Sequence, residues 1–496
     1  MGEAIGEAEG RRTTEGAAKW KGTTDAYDVV VIGSGLAGLT GAHYLAKQGY
    51  RVIILEQHYQ IGGLATWFKR KGGHVFDISL HGFPVGMIKS CRRYWSKEIA
   101  DSIVPLRDLR FANPQFSLQT TYDREDFTRV LVDSFGISAG KVAEFFDTVS
   151  DSERFLNSPL STGELIDSFF PGRNDIKRLL LEPIAYANGS SEDDPALVYS
   201  IVFFNFMKQG IYTFQGGTDQ LIKRMVQLLE EKGVHIVRRA CVESVVTGRN
   251  PETGKPEVLG VKAEGRTLRA RAVLSNSNLK RTVLGLIGAE AIADPEFVKA
   301  TEAVRLNSSS CQVYLGLRKG TSIPHVGDLL FVSDDAEFSS KALKAPTTTS
   351  RTFSFYYPET RPHLKVPRYS IVASSNANWK DWNDLDEHEY ETRKRELIEA
   401  TLETLERFLP GIREKIDHIE AATPRTIHHF TQHWSGASFG TKYEGLEVSQ
   451  KLPQVVSGAY HAGSVGIIMS GWLGTINYGQ MTASRMEQYL RETVNR

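Results

Sequence analysis

Residues 27–63 read YDVVVIGSGLAGLTGAHYLAKQGYRVIILEQHYQIGG, and they decide the fold. Val29–Ile32 is an uninterrupted apolar run, as expected of a strand buried on both faces. Gly33-Ser-Gly35-Leu36-Ala37-Gly38 follows at once and reads as a tight turn opening a helix. In such a turn the first glycine permits the bend, the second lets a pyrophosphate approach the backbone, and the third lets helix pack on strand. The helix start aims unsatisfied amide N–H groups and its positive dipole end at the phosphates. Gly49 ends that helix, Arg51–Leu55 forms a second strand, and Glu56 stands at its end. A carboxylate there accepts ribose hydroxyls and repels a 2′-phosphate, so the expected ligand is FAD or NAD rather than NADP.

Working outward, the 496 residues amount to about two to three domain equivalents. Basic and acidic residues balance at 59 each, which removes the electrostatic basis for nucleic-acid binding. Cys91, Cys241 and Cys311 lie far apart, forming neither a disulfide framework nor a CxxC metal site, and each reads as a small buried side chain. Residues 1–26, rich in Gly, Glu, Thr and Ala, read as a disordered tail without a signal-peptide core. The longest apolar stretch, Ala196–Met207, is shorter than the roughly 18–20 residues of a membrane span. The expectation is a cytoplasmic protein, soluble or peripheral to a membrane.

Beyond the first unit, Trp67–Asp77 reads as a strand pair around a basic glycine turn. Residues 88–205 carry helical patterns (140–155, 163–169 and 175–184) and few strand signals. A helix through Leu221, Met225 and Leu229 ends near Gly233. Strands are expected at 234–238, 242–247, 257–263, 267–269 and 272–275, then at 311–317 and 370–373, followed by a long helix over 387–408. A last strand is expected at 454–457, then a glycine-rich turn and a closing helix. This alternation is best explained by a nucleotide domain at both termini with a different domain inserted between its pieces.

The fingerprint, Gly62-Gly63, the run Phe68…Gly72…Phe76-Asp77, Tyr212-Thr-Phe-Gln-Gly-Gly-Thr218 and Thr423-Pro-Arg-Thr426 together resemble the carotenoid desaturase, carotenoid isomerase and retinol saturase superfamily. Leu55-Glu56-Gln57-His58 and Phe76-Asp77…His81 are similar to the saturase and isomerase branch. The resemblance implies an α/β fold: a Rossmann-like FAD-binding domain (GR2-type) over 27–90, 210–285 and 430–496, with an inserted mixed α+β substrate domain over 91–209 and 286–429. It implies FAD as cofactor. Gly33, Gly35, Leu36, Ala37, Gly38, Glu56 and Gln57 would contact it, with Gly62, Gly63 and Leu64 passing the pyrophosphate and flavin edge. The backbone of Val242 would meet the adenine, and Ser275-Asn276 would cross back beside the cofactor. Gly458 would end a strand before the flavin, but Ala459 stands where such proteins carry an acidic residue. Gly466 and Ile467, within the run to Gly471, would open a helix facing the flavin carbonyl.

The implied activity is hydride exchange between flavin N5 and a carbon of a hydrophobic polyene or isoprenoid, giving desaturation, saturation or cis–trans isomerisation. An unactivated polyene has no acidic proton and no leaving group, so neither a triad nor a metal is needed, and no acid or base is nominated. His428, His429 and His433, the last two at i and i+4, belong to an aromatic segment read as strand or loop rather than a metal site. His81 and His461 are candidates for lining the flavin site or for hydrogen-bonded core positions. Ala196–Met207, with Phe203, Phe204 and Phe206, reads as core, pocket wall or a membrane-dipping helix. Lys69, Arg70 and Lys71 form either a solvated turn or a contact with lipid phosphates. Two other readings stay open: a flavin amine oxidase, and a non-catalytic prenyl- or lipid-binding protein on the same scaffold.

Overall fold

The computed structural model describes residues 19–251, 253–366, 368–466 and 469–493. Its first sheet has seven strands. The order is His235–Arg238, Val52–Glu56, Ala26–Ile32, Arg266–Ser275, Pro256–Ala263, Val242–Arg249, with Ala459–His461 beside the carboxyl half of Arg266–Ser275. Pairing is parallel from His235–Arg238 to Arg266–Ser275 and on to Ala459–His461, and antiparallel through the other two strands. The first strand is central. Val29 and Val31 face the helices Leu36–Lys47 and Gly471–Glu492, while Val30 and Ile32 join a second core on the opposite face. Burial on both faces accounts for its unbroken apolar sequence. Its neighbours lead away in opposite directions, so a crevice opens at the carboxyl ends, where open α/β sheets bind ligands.

The second sheet also has seven strands, in the order Ile416–Ala422, Ser309–Leu317, Ser370–Ala377, Arg351–Tyr356, Leu329–Val332, Leu109–Ala112, Ser117–Thr120. One face packs Leu109, Phe111, Leu329 and Phe331 against a helical layer that includes Asn174–Asn188 and Ala196–Met207. The other packs Leu330, Phe353, Phe355 and Ile371 against the helix Glu387–Glu406. The α/β architecture expected from the sequence, with an inserted mixed unit, is therefore present.

Three expectations are corrected. The tail does not extend to residue 26: Trp20 is buried in the core and Arg266 lies over its ring at 4.8 Å, while residues 1–18 lie outside those described. The two short strands at 267–269 and 272–275 are one, Arg266–Ser275, because Arg271 reaches sideways to Asp28 instead of interrupting the ladder. Gln454 and Val455 end a helix, Gly445–Val455, and the strand begins after Gly458. Gly458 has φ 79°, which admits the turn that a side chain would strain.

Candidate functional site

The fingerprint turn is fastened from several sides. Gly33 donates its N–H to Leu55 O at 2.8 Å, and Gly62 donates to Ser34 O at 3.0 Å. Glu56 is buried; its Oε2 accepts the N–H and the hydroxyl of Ser34 at 2.8 and 2.6 Å, and its Oε1 accepts the His58 N–H at 2.7 Å. Three of the roughly four acceptor positions of a carboxylate are thus taken by the protein. Glu56 holds the turn as much as it offers itself to a ligand, a role not evident from its position alone. A Cβ on Gly35 would lie 2.5 Å from Asn276 Oδ1, and one on Gly38 2.4 Å from Gly33 O, so turn, helix and the Ser275-Asn276 crossing are in close contact.

This turn opens on a cavity of about 550 Å³, within the range of small-molecule sites. Gly33, Gly35, Leu36, Ala37, Glu56, Gln57, Gly62, Gly63, Leu64 and Val242 line it. Gly38 lies behind them as a packing contact. Gly458 and Gly466 stand off the cavity: a Cβ on the first would meet Arg271 O at 2.9 Å, and one on the second Tyr443 N at 2.5 Å. Ile467 lies outside the described residues. The helix expected to open around Gly466 starts instead at Gly471, and residues 470–475 line the cavity. Neither this helix nor Leu36–Lys47 has a side-chain cap, and the two start on the same cavity. They cross closely, since a Cβ on Gly479 would lie 2.3 Å from Ala37 O.

Sequence reasoning did not assign Ser34, His58 or Ser277 to the wall, and took Cys241 for core, although it is only partly buried and lines the cavity. Their signal was proximity to residues already chosen: Ser34 is inside the fingerprint, and Cys241 precedes Val242.

Away from the glycine turns the wall is largely aromatic and aliphatic, with Tyr186, Val202, Phe206, Leu329 and Phe331 among its members. Ala196–Met207 thus serves as core and as pocket wall at once, with Phe203 in the core and Phe206 on the wall. His81 is also on the wall. Tyr314 gives its hydroxyl hydrogen to Gln312 Oε1, which leaves the Gln312 amide to donate to His81 Nε2 at 3.3 Å. Nδ1 therefore carries the ring hydrogen and donates to Ser354 Oγ at 2.8 Å. Burial lowers the His81 pKa to about 4, so the ring is neutral at physiological pH. His461 is a core residue, bonded to Ser449 Oγ at 2.6 Å and Ser277 O at 3.0 Å, away from the wall.

The paired motifs Phe76-Asp77 and Tyr212–Thr218 form one constellation. Asp77 accepts the Thr218 N–H at 2.8 Å and its hydroxyl, and pairs with Arg361 at 2.6 Å; Arg361 also pairs with Asp219. Pro424–Thr431 is a helix rather than the strand or loop expected, started by Pro424 and a Thr423–Thr426 capping box. His428 and His433 bond to backbone carbonyls, and no metal-binding cluster occurs among the described residues. Arg70 pairs with Glu420 at 2.8 Å beside the cavity.

The family model of flavin containing amine oxidoreductases matches residues 36–465. The chain belongs to that family. Its cofactor is FAD, and the site fits the group: two uncapped helix starts face one cavity, and Asn276 Oδ1 is buried against the turn with no partner among the described residues. The chain is 24% identical to the inactive all-trans-retinol 13,14-reductase of Danio rerio, over 93% of this chain and 85% of the relative. It is also 24% identical to the chloroplastic prolycopene isomerase of Arabidopsis thaliana, over 83% and 74%. These relatives fall in the superfamily that the motifs resemble. An oxidoreductase structure from Methanosarcina mazei superposes with a TM-score of 0.64 at 18% identity, covering 92% of this chain and 99% of that one.

Proposed function

We propose that this flavin-dependent oxidoreductase acts on C–C or C=C bonds of a carotenoid, retinoid or related polyene, by desaturation, saturation or isomerisation. The observation that carries this reading is the cavity itself, which continues from the glycine turn along an aromatic and aliphatic wall. In this reading 27–90, 210–285 and 430–496 hold FAD, and 91–209 and 286–429 hold substrate. Gly33, Gly35, Leu36, Ala37, Gly62, Gly63 and Leu64 meet the pyrophosphate and flavin edge; Glu56, Gln57 and Val242 meet the ribose and adenine. Bound FAD supplies a hydride acceptor or donor. The chain orients the substrate, excludes water and keeps His81 neutral beside it. Apolar burial contributes roughly 0.8 kcal/mol per methylene-sized group, ample for a long polyene.

An amine substrate is less well served. The acidic residues on the wall are Glu56 and Glu420, the first bonded to Ser34 and His58, the second paired with Arg70 and His418. Tyr59 and Phe430, 48% and 46% exposed, also border the cavity and suit entry from a membrane surface. Among the described residues no helix is long and apolar enough to cross a membrane. Pigment analysis of cells making phytoene, prolycopene or lycopene, with and without the protein, tests the reading. A change in one pigment is expected. Peroxide release with amines, together with no change in any polyene, would overturn it.

A further inference from the structure

Beyond the second sheet's edge strand Ile416–Ala422, the chain makes a closed loop beside the cavity. It leaves at Thr423 and is back by Gly436, where a Cβ would lie 2.4 Å from Pro424 O. Both ends are buried and tied to the second sheet's side. The Tyr390 and Thr423 hydroxyls bond at 2.9 Å, and Arg425 donates to Asn383 O at 3.0 Å and to Leu385 O. Ser309 donates its hydroxyl to Gly436 O at 2.6 Å.

Between these ends the loop is bonded to itself. Gln432 donates its N–H to His428 O at 2.7 Å, His428 Nδ1 meets His433 O at 2.8 Å, and Gly436 donates to His433 O at 3.0 Å. Gln432 and Ser435 have φ 53° and 54°, two of only five non-glycine residues with positive φ among those described. Such backbone persists where its surroundings hold it, and it gathers at clamps and switches.

The tip, residues 428–430, is exposed. Thr426, Ile427, Phe430 and Thr431 line the cavity from one face of the helix Pro424–Thr431. Among the described residues, the hydrogen bond and the ring contact that join the loop to the fingerprint side both fall on Phe430. Gln57 Nε2 donates to Phe430 O at 3.2 Å, and the His58 and Phe430 rings meet edge-on at 5.1 Å. A compact loop anchored at its ends and lightly held at its tip can swing as one piece.

We propose that residues 423–436 are a hinged strap that closes over the ribose end of bound FAD, with Gln57 and Phe430 as its latch. This rests on the placement of the ribose beside Glu56 and Gln57. The latch falls on the two residues directly after Glu56 and not on the aromatic wall around Leu329 and Phe331, so the strap guards the cofactor rather than the polyene.

The test follows flavin release after dilution of the flavin-loaded protein, read from free-flavin fluorescence, and amide hydrogen exchange over 423–436. Phe430→Ala should release flavin roughly three- to tenfold faster, the worth of one aromatic contact. Trp434→Ala, on the strap but off the cavity, should leave release unchanged. In the unmodified protein the strap should exchange about fivefold more slowly with flavin bound than without it. Equal exchange in the two states would overturn the proposal without recourse to any variant. So would unchanged release from Phe430→Ala, including the case in which that variant speeds polyene association alone. Gly35→Ala separates the strap from the placement beneath it. If that variant loses flavin, a failed strap leaves the ribose placement standing; if it keeps full flavin, placement and strap fall together.

Discussion

Arg361→Met tests whether the buried ionic constellation fastens the two sheets together. Arg361 follows the second sheet's strand Arg351–Tyr356, whereas Asp77 ends the short strand His74–Asp77, and Thr218 and Asp219 open the helix Gly217–Glu230, which packs on the fingerprint helix Leu36–Lys47. Arg361, Asp77 and Asp219 are 6%, 2% and 7% exposed. Methionine keeps much of the stem and removes the cation, so two buried carboxylates lose their partner. Only His363, 3.7 Å from Asp219, remains as a partial substitute among the ion pairs described. Breaking a buried pair from one side costs about 3–5 kcal/mol, a factor of roughly 10² to 10³·⁵ in the unfolding equilibrium. Urea unfolding at pH 8, followed by tryptophan fluorescence and by flavin release, measures the loss. A loss below about 1 kcal/mol would refute the argument. Asp77→Asn in the same background should recover part of the loss, because it removes one uncompensated charge and keeps an acceptor for Thr218.

Gly35→Ala brings a methyl group within 2.5 Å of Asn276 Oδ1 at the cavity edge; it should reduce bound flavin severely, read from the 450 to 280 nm absorbance ratio, and full flavin content would contradict the site. Gly479→Ala drives a methyl into Ala37 O at 2.3 Å; about 1–3 kcal/mol of overpacking should lower the thermal midpoint and weaken flavin retention, and an unchanged midpoint would discount the helix crossing. His81, lowered to about 4, stays neutral in the folded protein while the unfolded chain takes up a proton below about pH 6.5. Stability is therefore lost as pH falls from 6.5 towards 4, by up to about 1.4 kcal/mol per unit, and His81→Gln should flatten that slope by one proton. An identical slope in the variant would show that His81 does not contribute it.

The local rules that made the first strand, glycine turn and helix legible act within a few residues of one another. Apolar continuity reports burial on both faces, and glycine reports a bend or a close approach; the structure uses Gly33, Gly35 and Gly38 in these ways. Signals weakened where the deciding partner was distant in sequence. Residues 270 and 271 fell between two expected strands because the strand that carries the ladder past them, Ala26–Ile32, is remote in sequence. Trp20 read as tail because the Arg266 beside it is equally remote. Gly458 and Gly466 were chosen for their type and order along the chain, but their close neighbours are backbone atoms of Arg271 and Tyr443 rather than the cavity. Glycine alone does not distinguish approach to a ligand from approach to another segment.

The same distinction changes what the downstream motifs mean. Phe76-Asp77 and Tyr212–Thr218 carried the resemblance to polyene enzymes, yet Asp77 and Thr218 do not line the main cavity. They bond to each other and to Arg361, and a Cβ on Gly217 would lie 2.3 Å from that guanidinium. The motif's glycine is thus the space that the arginine occupies. His81 lies four residues beyond Asp77, its Nδ1 bonded to Ser354 on the strand that leads to Arg361. One short segment therefore meets the inserted unit twice, through an ion pair behind the wall and a neutral imidazole upon it. A clamp so placed sets the distance between the glycine turns and the aromatic wall. On the polyene reading, substitutions at Asp77 or Arg361 should consequently disturb flavin retention and polyene affinity together.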